Sequence, residues 1–235
     1  MNDPTVTVIA GGTGGLGRAV SQAFLAAGAT VIATYRKPQE YADLLRSVAG
    51  DASRLSGSQV DVTDDAAAGE LITRVLEKHG RLDALVNTVG GYDGGRKLWD
   101  IDRSVLDRML ALNLHAGFAL LRAAVPAMLK QRHGSIVNVA AQAAFTHPAG
   151  AAAYAASKAA AVALIGSLAA EVAGTGVRIN SIVPSIIDTE ANRKAMPHAD
   201  FSKWPKPEDI ARVLLFLCSD AAKSIHGAAI PVDGY

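Results

Sequence analysis

A chain of 235 residues that is half hydrophobic is long enough to bury a large core and still fits one α/β domain, and its 23 Lys and Arg nearly balance its 22 Asp and Glu. That balance excludes a strong field for gathering nucleic acid or an anionic membrane, so the expected partner is a small molecule. The lone Cys218 excludes an internal disulfide, and no Cys/His cluster or His pair at ligand spacing suggests a metal.

In chain order, Met1–Pro4 runs directly into a strand-like stretch with no basic start or apolar leader, which with the single cysteine points to a reducing, cytoplasmic compartment. A first apolar, β-branched run at Thr5–Ala10 is followed by a glycine-rich turn and a helical pattern over Leu16–Ala27. A strand at Thr30–Tyr35, a helix at Pro38–Val48, a weaker strand at Gln59–Val62 and a helix at Asp64–His79 come next. Then follow a strand at Ala84–Val89, a long helix at Ser104–Lys130 and a strand at Ser135–Ala140. A helix at Tyr154–Ala173, a strand at Val177–Val183, a helix at Pro207–Ser219 and a last strand at Ala228–Val232 complete the pattern. Ala151–Ala173 is apolar but mostly alanine and is interrupted by Lys158 and Glu171, so it reads as a closely packed helix and not a membrane span.

Uniformly apolar strands alternating with helices imply a single-domain α/β fold, a doubly wound (Rossmann) parallel sheet of about seven strands flanked by helices. Ligands of such sheets bind beyond the carboxyl ends of the strands. The irregular stretches near 90–98 and 185–206 are the candidate substrate loops.

After the first strand stands Gly11-Gly12-Thr13-Gly14-Gly15-Leu16-Gly17, opening a helix. Glycines let the backbone approach a pyrophosphate, and a helix N-terminus offers free N–H groups and partial positive charge. The second strand ends Tyr35-Arg36-Lys37 without a carboxylate for the ribose hydroxyls, and two cations suit a 2′-phosphate, so NADP(H) is favoured over NAD(H). Asp61-Val62 after the third strand is placed to meet the adenine, and Asn87 after the fourth to hold the loop beside the cofactor, with turn formation and capping the plain alternatives. Tyr154 and Lys158, four residues apart on one helix face, place a phenol beside an ammonium that is expected to draw its pKa toward the working range.

Gly11–Gly17, Asp61, Asn87 before Gly90, Asn113, Tyr154 with Lys158, and Val183-Pro184 through Ile187 and Thr189 together resemble the ordered motifs of the short-chain dehydrogenases/reductases over essentially the whole chain. The resemblance implies an NAD(P)H-dependent oxidoreductase with Tyr154 as acid–base catalyst, Lys158 binding the nicotinamide ribose and Asn113 supporting a water relay. It also implies that Gly11, Thr13, Gly15, Leu16, Gly17, Tyr35, Arg36, Asp61, Val62, Asn87, Pro184, Ile187 and Thr189 hold the cofactor. The family's substrate-orienting serine should lie thirteen residues before the tyrosine, where this chain has Ala141. That alanine, with Gly90–Gly95, Asn192–Phe201 and Trp204, is more narrowly similar to the dihydropteridine reductases, which implies a flat conjugated acceptor such as a quinonoid dihydropteridine. Those enzymes differ in carrying an aspartate after the second strand. A carbonyl reductase and a non-catalytic NADP(H) sensor are the alternatives. Small residues such as Ala116, Gly117, Ala163 and Gly166 on the two long helices predict a homodimer, or a homotetramer built from it, an arrangement the family resemblance also implies.

Overall fold

The computed structural model describes residues 5–48 and 52–234, so the leader reading over Met1–Pro4 falls outside the described residues. Seven parallel strands run in the order β3-β2-β1-β4-β5-β6-β7. They are β1 Val6–Ala10, β2 Thr30–Tyr35, β3 Leu55–Gln59, β4 Ala84–Asn87, β5 Gly134–Val139, β6 Val177–Pro184 and β7 Ala229–Val232. The order reverses between β1 and β4, where Val8 pairs with Leu85. That is the switch point at which a doubly wound sheet opens a crevice.

Every residue of β1 and β4 is buried, because both faces of the sheet are covered. Successive strand residues face opposite sides, and two cores result. Val8 and Leu85 join α3 (Asp65–His79), α5 (Ala116–Gln131) and α7 (Ala152–Glu171) through Leu71, Leu120 and Ile165. Ile9 and Val86 join α1 (Gly15–Ala26), α2 (Pro38–Ser47) and α9 (Pro207–Cys218) through Val20, Leu44 and Leu214. At roughly 1.5–3 kcal/mol per fully buried aliphatic side chain, these two layers supply most of the drive to fold.

Two elements depart from the sequence expectation. The third strand lies over Leu55–Gln59, upstream of the expected Gln59–Val62. It is the sheet's outer strand beside β2 and keeps a polar, alternating pattern, so an apolar run misplaced it. The long helix is also not continuous: α4 (Arg103–Leu110) passes through a π-helical turn at Ala111–His115 into α5. Such turns are single-residue insertions that cluster at functional sites, and this one turns Asn113 inward. Two short helices, α6 (Ala143–Thr146) and α8 (Glu190–Ala195), had no periodic signal.

Candidate active site

The loop after β1 is shaped by its own backbone. Gly11 has φ +73° and donates its N–H to Thr34 Oγ1 at 2.8 Å. A Cβ on Gly17 would stand 1.9 Å from the Gly11 carbonyl oxygen, so only glycine lets α1 begin so close beneath the loop. No side chain caps the N-terminus of α1 at Gly14, which leaves its first N–H groups and positive dipole end for an anion. Leu16 is buried under the turn, and Thr189 stands over Gly15, 3.0 Å from where a Cβ would be.

A cleft of about 340 Å³ continues from this loop past Arg36, Asp61, Val62 and Gly90. Tyr35 stacks on Tyr41, the ring centroids 5.0 Å apart. Asp61 Oδ1 accepts from Thr63 N–H at 3.0 Å and Thr63 Oγ1 at 2.7 Å, so that oxygen shapes its turn. These bonds, chiefly from the Thr63 hydroxyl, and the Arg36 charge hold its carboxyl below the usual range. Val62 is buried. Asn87 accepts from Val89 N–H at 3.1 Å and donates to Asn138 at 2.9 Å, which ties the loop after β4 to β5.

Across the switch point, α7 presents Tyr154 and Lys158. Lys158 is 5% exposed and donates to the Val139 carbonyl at 3.0 Å, and burial pulls its pKa down to about 8. Burial, followed by the neighbouring Tyr92, pushes Tyr154 up to about 12. The expectation that Lys158 draws the phenol toward neutrality is therefore corrected: burial and the neighbouring Tyr92 shift it the other way, and Tyr154 keeps its proton at neutral pH. A protonated phenol is the form a reduction needs.

Asn113 Nδ2 donates to Ser157 Oγ at 3.0 Å and to the Gly91 carbonyl at 3.0 Å, while its Oδ1 accepts from Gly91 N–H at 3.0 Å. Ser157 passes the link on to the Tyr154 carbonyl at 2.7 Å. A Cβ on Gly90 would stand 2.8 Å from Asn113 Oδ1 and 3.1 Å from Lys158 Nζ. The sequence reading named neither Ser157 nor the need for glycine at 90, since both follow from close packing between distant segments. Ala141 is buried just after β5 and brings no hydroxyl to this group.

The two loops stand where expected, beyond the carboxyl ends of β4 and β6. Asp93 pairs with Arg96 at 2.7 Å and with Arg108, and Gly95 N–H reaches the Gly150 carbonyl at 2.9 Å. In the second loop Pro184, buried at the end of β6, accepts from Gln142 N–H at 3.0 Å. Ile187 accepts from Asn192 Nδ2 at 2.8 Å, and Thr189 caps α8. Trp204 is 8% exposed and packs on Phe201, so it anchors the loop.

The family profile described as short chain dehydrogenase matches residues 5–200. The chain belongs to this family. It is 32% identical to the 3-oxoacyl-[acyl-carrier-protein] reductase FabG of Thermotoga maritima, over 97% of this chain and 96% of that protein. It is 34% identical to the meso-2,3-butanediol dehydrogenase of Serratia marcescens, over 99% of this chain and 94% of that one. The solved structure of ElxO with NADP bound superposes with a TM-score of 0.90 at 26% identity, covering 97% of each chain. None of these relatives is a dihydropteridine reductase, and they give that narrower likeness no support. The short-chain dehydrogenase family membership makes the chain an NAD(P)(H)-dependent oxidoreductase. The uncapped α1 N-terminus, the Gly11–Gly17 turn and the adjoining cleft fit that cofactor's phosphates and adenosine.

Proposed function

We propose that the chain reduces a flat, conjugated acceptor, such as a quinonoid dihydropteridine, with Tyr154 delivering the proton. The bound nicotinamide would supply the hydride. Gly11, Thr13, Gly15, Leu16 and Gly17 hold the phosphates, Tyr35, Arg36, Asp61 and Val62 bound the adenosine, and Asn87 holds the loop beside the cofactor. Pro184, Ile187 and Thr189 lie along the nicotinamide. Lys158 holds the ribose beside Tyr154, and Asn113 and Ser157 position the start of α7.

The observation that carries the reading is the setting of Tyr154. Tyr92 packs edge-on against its ring at 4.9 Å, and Ala141 supplies no second donor. Tyr92, Leu98 and Trp99 after β4, Phe145 after β5 and Ile186 after β6 are all exposed, Trp99 at 78%. Apolar and aromatic side chains on the loops that follow these strands suit a flat ring. A quinonoid ring spreads developing charge, so one phenol suffices where a localised alkoxide would call for more.

A second reading, a carbonyl reductase, is favoured by the names of the relatives, which concern a 3-oxoacyl thioester and a diol. Cofactor oxidation with quinonoid dihydropterins, quinones and small ketones separates the two, and a ketone preference would overturn the first. Ala141→Ser should then shift selectivity toward ketones by up to ~3 kcal/mol if the missing hydroxyl is what disfavours them. No turnover with any acceptor, despite cofactor binding, would favour the non-catalytic sensor.

Arg36 and Lys37 support a preference for NADP(H), tested by titrating both reduced cofactors. We further propose a cytoplasmic homodimer, with a tetramer as its extension, built on α4–α5 and α7. Both helical segments, Arg103–Gln131 and Ala152–Glu171, are long and apolar enough to cross a membrane by length and composition, yet each packs one face into the core. Their outer faces leave Phe118 44% exposed and Ala163 and Gly166 uncovered, a surface that a second copy would bury.

A further inference from the structure

In an NAD-type site a carboxylate directly after the second strand takes the adenosine ribose, and here that position holds Arg36 and Lys37. The fold returns a carboxylate to the same cleft from elsewhere. Glu40 lies in the first turn of α2, lines the cleft with Arg36 and Asp61, and accepts from Thr13 Oγ1 at 3.3 Å. Its other oxygen lies 3.8 Å from Lys37 Nζ. A carboxylate in a helix's first turn is favoured by the macrodipole, which alone would explain an acidic residue there. It does not explain the bond to Thr13, which spans from the phosphate loop to α2 across the mouth that an adenosine ribose must enter.

We infer that Glu40 narrows the preference that Arg36 and Lys37 give to NADP(H), its carboxylate accepting the 2′-hydroxyl of an unphosphorylated ribose and repelling a 2′-phosphate. The inference rests on the reading that this cleft takes the adenosine end of the dinucleotide. Glu40 stands 3.8 Å from Lys37 Nζ in an exposed pair, so a 2′-phosphate drawn to Lys37 would meet a like charge beside it. An unphosphorylated ribose meets no such conflict and finds an acceptor already oriented by Thr13.

The test needs no turnover. Calorimetric titration with 2′,5′-ADP and with 5′-ADP isolates the adenosine end, and the ratio of the two affinities is the readout. Glu40→Gln keeps an acceptor for Thr13 and removes the charge. It should raise the preference for 2′,5′-ADP by at least ~10-fold while leaving 5′-ADP within a few-fold of wild type, since a tenfold change corresponds to about 1.4 kcal/mol of relieved repulsion. Glu40→Ala, which loses the acceptor as well, should raise the same ratio and also weaken 5′-ADP. An unchanged ratio in both variants overturns the role of Glu40. Wild-type protein that binds the two probes equally overturns only the NADP(H) preference, because the ratio in the variants still reports on Glu40. Binding of neither probe by the wild type overturns the placement of the adenosine and the inference with it.

Discussion

Asn113 on the π-helical turn donates its amide to Ser157 on α7 at 3.0 Å, and that bond joins the long helix to the one that carries Tyr154. Asn113 and Ser157 are both buried, so neither can replace its partner with water. Ser157→Ala leaves the Asn113 amide short of one acceptor and should cost about 1–3 kcal/mol of stability. Denaturant unfolding measures it, and a loss well under that range would mean that the link is incidental.

The pH dependence follows from the two shifted groups. Lys158, pulled from 10.5 to about 8, is charged below that pH and neutral above it, and only the charged form gives strong bonds to a cofactor ribose. Tyr154, pushed up to about 12, stays protonated throughout the ordinary range. The rate of reduction, as kcat/KM for the cofactor, should hold on the acid side and fall above about pH 8, with no limb from Tyr154 below pH 10. For folding the sign is reversed: a depressed lysine binds fewer protons folded than unfolded, so burying its charge costs stability below about pH 8 and that cost is relieved as pH rises from 8 toward 10.5. A flat rate profile to pH 10 would contradict the assignment.

Gly17→Ala tests the phosphate loop. Its Cβ would lie 1.9 Å from the Gly11 carbonyl, between two backbone segments that cannot both stay in place. We expect a loss of about 1–3 kcal/mol or more, read as a fall in Tm of ~2–4 °C per kcal/mol, together with loss of dinucleotide binding. Thermal unfolding and cofactor titration check both, and a variant that binds normally would rule out the packed turn.

Most of the fold is legible in the sequence because five strands, β1, β2, β4, β5 and β6, are buried on both faces or nearly so, and their apolar runs stand out. The outer strand Leu55–Gln59 escaped because its residues after Leu55 are small or polar and only alternate ones are covered, and the break in the long helix escaped because Ala111–His115 holds no glycine or proline to mark it. In the site, Tyr154, Lys158, Asn113 and the glycine turn carry local patterns. Ser157 and Glu40 do not, since each matters through a contact with a distant segment, Asn113 and Thr13 respectively, and Gly90 stood in a motif whose reason, its close approach to Asn113 and Lys158, only the packing shows. The direction of the Tyr154 shift was misread for a related reason. Spacing along a helix reveals a neighbouring cation but not how deeply both groups are buried.

The proposed dimer is tested on α7. Gly166 has nothing within 4 Å of where a Cβ would be, so Gly166→Arg is tolerated by the isolated fold and should act only on a partner surface. Light scattering should report a dimer for the wild type and a monomer for the variant. A wild-type monomer at micromolar concentration would contradict the assembly, and a dimeric variant would move the interface elsewhere.

The most direct measurement is single-turnover oxidation of bound NADPH by Tyr154→Phe with the best acceptor from the panel. The substitution keeps the ring that Tyr92 packs against at 4.9 Å and removes only the hydroxyl. A fall of at least ~10²-fold in rate with nearly unchanged cofactor affinity is expected if the phenol delivers the proton. A rate close to wild type would take Tyr154 out of the chemistry and contradict the account.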